Sequence, residues 1–491
     1  MNYLGLDVGT TAIKGQLFSE KGEILEYVVT EYPFFERGHE RLIDVRAIEK
    51  NVREILSAVA AKHEVSAIAV SSLGEAFVAL GKEDDIVSYP MLYTDPRGKE
   101  EAAEVSATFG EGEVFRLTGT VPDPMFSVYK LLWIRKNRPE AFAKIDKVLL
   151  VGDYVNYLLT GKRYIDYGLA ARTGAFDVGK KIFAKDFLAR LGIPAEWFSA
   201  PVPSGTKIGT VGKEIAEELG LSPSCAVVTG SHDQICSALG AGVTEAGNSV
   251  DGMGTVECIT AVFDRKIEDE EFGEMGFTCV PFPGENLYCA YLLSFTCGAA
   301  VDWYRKKILG GRAPEGETFF SYAEKNMTDG PTGILTLPYF DGAATPYRDQ
   351  EAKAAIVGLN VRTDDVTLYK SIIEGTQYEM RLNKEILEEY GGRISRLTAT
   401  GGGTRSEAWL QIKADVLRVP VRKLDNSEAG VRGAAMLAAT ATGKFSSLAE
   451  AAKVFVRYGK RFDPREETAA EYDGLFEKYR KMYPFVRSLG L

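Results

Sequence analysis

Three short turns rich in glycine and hydroxyl residues are the stretches of this chain best suited to chemistry: Asp7-Val8-Gly9-Thr10-Thr11, Asp251-Gly252-Met253-Gly254-Thr255 and Gly401-Gly402-Gly403-Thr404. Each follows a β-favouring apolar run. Glycine lets backbone N–H groups approach phosphate oxygens, hydroxyls add donors, and a carboxylate such as Asp7 can organise hydrated Mg²⁺. Thr10 and Thr11 are the donors of the first turn, and Gly254 and Thr255 face a γ-phosphate from the second. Gly401 and Gly402 pass beneath a nucleotide, beside a helix N-terminus. Taken singly, each is also a plain glycine turn or hairpin. Together, with two of them on opposite sides of an expected domain boundary, they point to ATP with Mg²⁺. No GxxxxGK[ST] occurs in the chain, which disfavours a P-loop kinase.

Transfer of a phosphoryl group to a hydroxyl needs a carboxylate within reach of the acceptor proton. Asp233 is the candidate, at the end of an apolar strand and flanked by Ser231, His232 and Gln234. Ahead of Ile235 to Leu239 it would also serve as a helix N-cap. His232, one of three histidines, reads as structural. Glu75, at another strand end, either accepts hydrogen bonds from substrate hydroxyls or is an exposed loop carboxylate.

The elements that must position these residues follow from periodicity. Tyr3 to Val8, Ala12 to Phe18 and Ile24 to Val29 read as an antiparallel meander with the first turn between its first two strands. Ala47 to Lys62 has a helical stripe and Val65 to Val70 is a buried-type strand, so the order is α/β. Ala226 to Gly230, Asn248 to Gly252 and Ile394 to Thr400 repeat the strand-into-turn device, and a helix is expected from about Ala408 to Leu417. The boundary is placed near Gly242 to Gly247, giving domains 1–244 and 245–491, the second ending in helices.

A chain of 491 residues suits two such domains, and 45% hydrophobic with 26% charged residues is ordinary for a soluble globular protein. The formal charge of −11 argues against nucleic-acid or anionic-membrane partners. No secretory pattern or membrane-length apolar run is visible, and the six cysteines form no CxxC pair. A cytoplasmic protein with reduced thiols is expected.

At these residues the chain resembles the FGGY carbohydrate kinases, the family of xylulokinase, gluconokinase, fuculokinase and glycerol kinase. Met125 to Asn137 (MFSVYKLLWIRKN) fits the family's first signature at every constrained position. Ala354 to Glu374 resembles the second, with Gly358-Leu359 and Ser371-Ile372-Ile373-Glu374, departing at Thr367. Thr398 to Leu417 and Glu428 to Ala435 resemble the adenosine-binding segment and its following helix. The resemblance implies two ribonuclease-H-like, actin-like ATPase domains with ATP in a cleft that closes to exclude water. It also implies Asp233 as catalytic base and Asp7 as support for magnesium. Thr10, Thr11, Gly254 and Thr255 then handle phosphate, Lys14 lies near it, and Gly401 and Gly402 line the nucleotide site. Glu75, Asp233 and Gln234 meet the acceptor, with Tyr93 in place of the family's usual cleft-lining Trp.

Lys130 to Asp177 runs much as in xylulokinases, whereas Gly74-Glu75 and Ala343 to Pro346 depart from them. Glycerol kinases share the Glu and the Gln after the base, but lack the match at Met125. A five- or six-carbon ketose or sugar alcohol is the expected acceptor. The alternatives are a glycerol kinase-like polyol kinase and a non-catalytic nucleotide or sugar sensor. The partners expected are that small molecule and ATP, with no nucleic acid or membrane, and a homodimer is allowed.

Overall fold

The computed structural model describes every residue except His39, Asn426, Ser427 and Leu491, together with the side chain of Arg37. Two sheets organise it. The first is built from β1 (Asn2–Val8), β2 (Ala12–Ser19), β3 (Ile24–Glu31), β4 (Ala67–Ser72), β5 (Lys207–Thr210) and β6 (Ala226–His232), in the order β5-β6-β4-β1-β2-β3. The second contains β7 (Asn248–Met253), β8 (Glu257–Phe263), β9 (Val280–Pro281), β10 (Tyr288–Ser294), β11 (Arg396–Thr400), β12 (Val421–Leu424) and β13 (Tyr458–Phe462), in the order β9-β10-β8-β7-β11-β12-β13.

The plan is the same twice over. β1 pairs antiparallel with β2 and parallel with β4; β7 pairs antiparallel with β8 and parallel with β11. Parallel strands must be covered on both faces, and alternation along β1 supplies two apolar faces. Leu4, Leu6 and Val8 pack with Ile48, Val52 and Ile55 of α1 (Val45–Ala60). Tyr3 faces the other way, into a cluster with Ala434, Ala435 and Ala438. Asp44 caps α1 by accepting from Arg46 N, which starts the helix two residues before the apolar stripe alone suggests.

The opposite face of the first sheet is covered by α2 (Asp233–Gly240) and α3 (Ala429–Ala441), the second of which comes from far along the chain. The strands of the first sheet lie within residues 2–232 and those of the second within 248–462. Thus α3 belongs in space with a sheet whose strands precede it by some two hundred residues. The two helices meet backbone to backbone. A Cβ on Gly433 would lie 1.9 Å from the carbonyl oxygen of Cys236, and one on Gly240 would lie 1.9 Å from that of Ala429. The six cysteines are free thiols, and no helix among the described residues is long and apolar enough to cross a membrane.

Because that crossing has no room for a side chain, Gly433→Val is expected to cost at least the roughly 1–3 kcal/mol typical of overpacking. The denaturant midpoint by circular dichroism reads it; an unchanged midpoint would show that the crossing can separate freely.

Candidate active site

The first glycine turn joins β1 to β2 and is held from below. Gly9 N donates to Ala12 O at 3.0 Å, Tyr32 N donates to Thr11 O at 2.9 Å, and the buried Tyr32 hydroxyl donates to Gly9 O. Thr10 is partly exposed and Thr11 exposed at its rim. The sheet register places Lys14 opposite Asp7 on one side and Ser71 beside it on the other. Ser71 Oγ donates to Asp7 Oδ1 at 2.7 Å. Burial pushes the Asp7 carboxyl upward, against the pull of the Ser71 hydroxyl and the Lys14 charge. Lys14 is engaged with Glu428 at 2.9 Å, just before α3.

The second and third turns lie side by side because β7 and β11 are parallel neighbours, Gly252 opposite Thr400. α4 (Gly298–Trp303) anchors the second turn, Gly298 N donating to Gly254 O at 2.9 Å and Ala299 N to Thr255 O at 3.1 Å. Gly254 and Thr255 themselves are exposed. In the third turn Gly401 has φ 90°, and a Cβ there would lie 2.7 Å from Met253 O, so glycine is required. Gly402 opens onto space with no heavy atom within 4 Å of its ideal Cβ. α5 (Glu407–Leu417) follows, its N-cap Ser406 accepting from Trp409 N. Gly254, Thr255, Ala299, Phe320, Gly402 and Trp409 help to line a cavity of about 740 Å³.

Asp251 does not mirror Asp7, despite the repeated strand plan. It is fully buried with Lys413 and Glu257, the lysine lying between the two carboxylates. This trio is internal to the second lobe, and in that turn only Gly254, Thr255 and Val256 are exposed.

Asp233 ends the run of β6 as the first residue of α2. The N-cap position belongs to His232, which makes no capping bond, so the capping alternative for Asp233 is set aside. The carboxyl is pushed up to about 7, first by burial and then by the charges of Asp7 and Glu75, with the Gln234 backbone N–H and Arg172 opposing. Its Oδ1 is shut off from solvent without a completed hydrogen bond, while the side chain as a whole remains 37% exposed. The open side is therefore that of Oδ2. His232 Nε2 lies 3.0 Å from Oδ1, and His232 Nδ1 lies 3.1 Å from the hydroxyl of Tyr291 on β10.

Glu75 is not an exposed loop carboxylate. It is 4% exposed and paired with Arg172, whose Nε donates to Oε1 at 2.6 Å and whose terminal nitrogen donates to the same oxygen. The guanidinium lies 4.9 Å from the Phe126 ring and 5.7 Å from that of Tyr291. Gln234 is partly exposed beside Asp233, whereas Tyr93 is half exposed on the stretch leading to Asp95. Lys130 of the signature helix is fully buried and donates to Asp95 O at 3.0 Å, clamping that stretch.

Arg172, Tyr291 and Ser71 are site residues that sequence reasoning did not select. Arg172 could have been found as a charge inside the apolar run Leu169 to Phe176; Tyr291 carries no such mark. Among the described residues no cluster of three or more His, Cys, Asp or Glu could hold a metal. One partly accessible carboxylate, Asp7, beside a hydroxyl-bearing turn still fits magnesium, which keeps waters and phosphate oxygens as most of its ligands.

Paired sheets of this topology, with glycine turns at matching strand ends, define the two-domain ribonuclease-H-like, actin-like ATPase fold. The chain belongs to the FGGY family of carbohydrate kinases: that family's N-terminal domain matches residues 2–240 and its C-terminal domain residues 253–442. It is 26% identical over 495 residues to a xylulose kinase of Bacillus subtilis (strain 168), covering 99% of this chain and 97% of that one. A gluconokinase of the same organism is 26% identical, covering 96% and 93%. The crystal structure of xylulose kinase from Rhodospirillum rubrum superposes with a TM-score of 0.92 at 26% identity, covering 100% of this chain and 99% of that one.

A carboxyl raised in the folded state stabilises below its unfolded value and loses that contribution as pH rises through about 7. Asp233→Asn is therefore expected to raise the melting temperature, and the gain should grow between pH 4 and pH 8. Equal gains at both ends of that range would show the carboxyl to be unperturbed.

Proposed function

We propose that the protein transfers the γ-phosphoryl group of ATP to a hydroxyl of a five- or six-carbon ketose or sugar alcohol, with Asp233 as the base. The observation that carries this reading is the placement of Asp233: partly buried, one oxygen open, and electrostatically in touch with Asp7 of the first lobe and Tyr291 of the second. A sensor that only clamps nucleotide has no use for such a carboxylate.

In this reading the adenosine enters the cavity beside Gly402, with Gly401 shaping the loop beneath it. Its terminal phosphate lies between the first turn, with Thr10 and Thr11, and the second, with Gly254 and Thr255. Asp7 and the first-turn hydroxyls would hold Mg²⁺ through its waters, and the ion would neutralise charge on the phosphate oxygens. Lys14 contributes positive charge to the same region, shared with Glu428. Glu75, fixed by Arg172, and Gln234 present polar groups to the acceptor, and Tyr93 offers a ring for its carbon chain.

The Glu75–Arg172 pair favours a neutral acceptor over an acidic one. Arg172 is already neutralised and both partners are about 5% exposed, so an aldonate carboxylate would meet a satisfied guanidinium next to Glu75 and Asp233. This observation separates a ketose or polyol from the substrate of a gluconokinase-like relative.

The test is ADP release from Mg-ATP across a panel of pentoses, hexoses, their ketoses, polyols and gluconate. Stimulation by one ketose or polyol, and not by gluconate, is expected; stimulation by gluconate alone would overturn the acceptor class. Asp233→Asn should lose about 10²–10⁴-fold in turnover with ADP binding by calorimetry kept. An undiminished variant would rule out the base.

Because the base must be ionised, kcat/KM should fall on the acid side with a midpoint near 7 in the free enzyme. A profile flat from pH 8 to pH 5.5 would contradict it. Gly402→Val should weaken ADP binding at least tenfold while leaving the melting temperature within a degree or so, since its Cβ meets no protein atom. Unchanged ADP affinity would place the nucleotide elsewhere.

A further inference from the structure

We propose that Tyr32, which lies outside the first glycine turn, sets that turn to receive a phosphate by holding the Gly9 and Thr11 carbonyls inward and so turning the Thr10 N–H outward. The inference rests on the reading that this turn meets the terminal phosphate of ATP, and it assigns the turn a positioning residue.

Local sequence fixes where Tyr32 sits. It precedes Pro33, and a residue before proline is biased toward extended backbone. It therefore prolongs β3 by one step beyond the Ala12–Glu31 pair, and its N–H donates to Thr11 O at 2.9 Å. The carbonyl just before it, that of Glu31, accepts from the Asn51 side chain of α1 at 3.2 Å. The Tyr32 ring is 3% exposed, in the apolar cluster that holds Ile43, Ile48 and Val52. From that anchorage its hydroxyl reaches the turn and bonds to Gly9 O. A carbonyl oxygen only accepts, so the phenol supplies the proton. Burial and the nearby Asp7 charge keep it protonated.

Two carbonyls of one short turn are thus pinned by one core residue. In a trans peptide the N–H points away from the C=O, and the Gly9–Thr10 bond is trans. Holding Gly9 O inward therefore aims the Thr10 N–H outward, where Thr10 is partly exposed. Among the described residues that N–H meets no acceptor. The competing state is a flipped peptide. Glycine takes either sign of φ at little cost, so an unbraced Gly9–Thr10 unit is free to turn its oxygen outward. A carbonyl oxygen there would repel a phosphate, whereas an N–H attracts one.

The second turn meets the same need by another route. Gly254 O and Thr255 O accept from Gly298 N and Ala299 N of α4, at 2.9 Å and 3.1 Å. In both turns the carbonyls are already bonded within the protein, in one by a helix and in the other by a single tyrosine. A tyrosine that served packing alone would need neither bond to the turn.

The experiment uses the full-length protein, with Mg-ADP and the non-hydrolysable Mg-AMP-PNP as calorimetric probes. Tyr32→Phe removes the hydroxyl and keeps the ring. It should weaken AMP-PNP roughly three- to tenfold, the contribution of one hydrogen bond, with ADP changed less than about twofold. With the best panel acceptor, kcat should fall about 10–100-fold, as for loss of one aimed donor, while acceptor KM stays within about twofold. Unchanged AMP-PNP affinity and kcat would overturn the brace. Equal losses for both nucleotides would do the same, since a merely structural hydroxyl cannot tell them apart.

Wild-type protein supplies an arm that does not depend on how Tyr32→Phe folds. With ¹⁵N-threonine labelling and the Thr10 amide assigned from Thr10→Ser, AMP-PNP should shift that resonance and ADP should leave it nearly still. A Thr10 amide unmoved by bound AMP-PNP overturns the proposal. Failure of wild type to bind either nucleotide would instead overturn the ATP reading on which the proposal stands.

Discussion

Gathering negative charge where a further, strongly anionic ligand must come is the constraint around which this molecule is arranged. The charges of Asp7 and Glu75 both raise the Asp233 carboxyl, and burial works in the same direction. Such a collection is stable only if cations and donors are rationed among its members. Glu75 receives Arg172, Asp7 receives the Ser71 hydroxyl and the field of Lys14, and Asp233 is left with the least. The carboxylate denied a strong partner is the one suited to exchange a proton.

Small residues make that arrangement possible at a distance. The face of the first sheet that receives α3 offers Gly5, Ala67 and Ala69, and the α2–α3 crossing has glycines at its points of closest approach. Close packing there brings Gly430 against the Asp7 carboxylate, 3.3 Å from where its Cβ would be. A helix encoded late in the chain therefore contributes to the walls of a site that begins at residue 7.

The two sheets share a strand plan but have parted chemically. At the end of β1 the aspartate is partly accessible and held by a neutral hydroxyl; at the end of β7 it is sealed with Lys413 and Glu257. One lobe keeps its carboxylate partly accessible, whereas the other holds its counterpart in the core. The physical difference is the buried ammonium, which consumes the charge that a metal or phosphate site would need.

The order of strands and glycine turns and the family were legible in the chain, and Asp233 could be singled out there as a candidate, because these depend on local signals: alternation, turn residues and a carboxylate at a strand end. Tertiary structure alone decided what surrounds that carboxylate. Arg172, His232 and Tyr291 converge on it from separate elements, and no spacing along the chain encodes contacts across 59 residues from His232 to Tyr291 or 97 from Glu75 to Arg172. The placement of residues 429–441 on the first sheet was equally hidden, since amphipathic pattern says that a helix is covered but never by what. Burial turned Glu75 from a loop carboxylate into half of an ion pair and Asp251 from a turn residue into core, and burial is a property of the assembled fold.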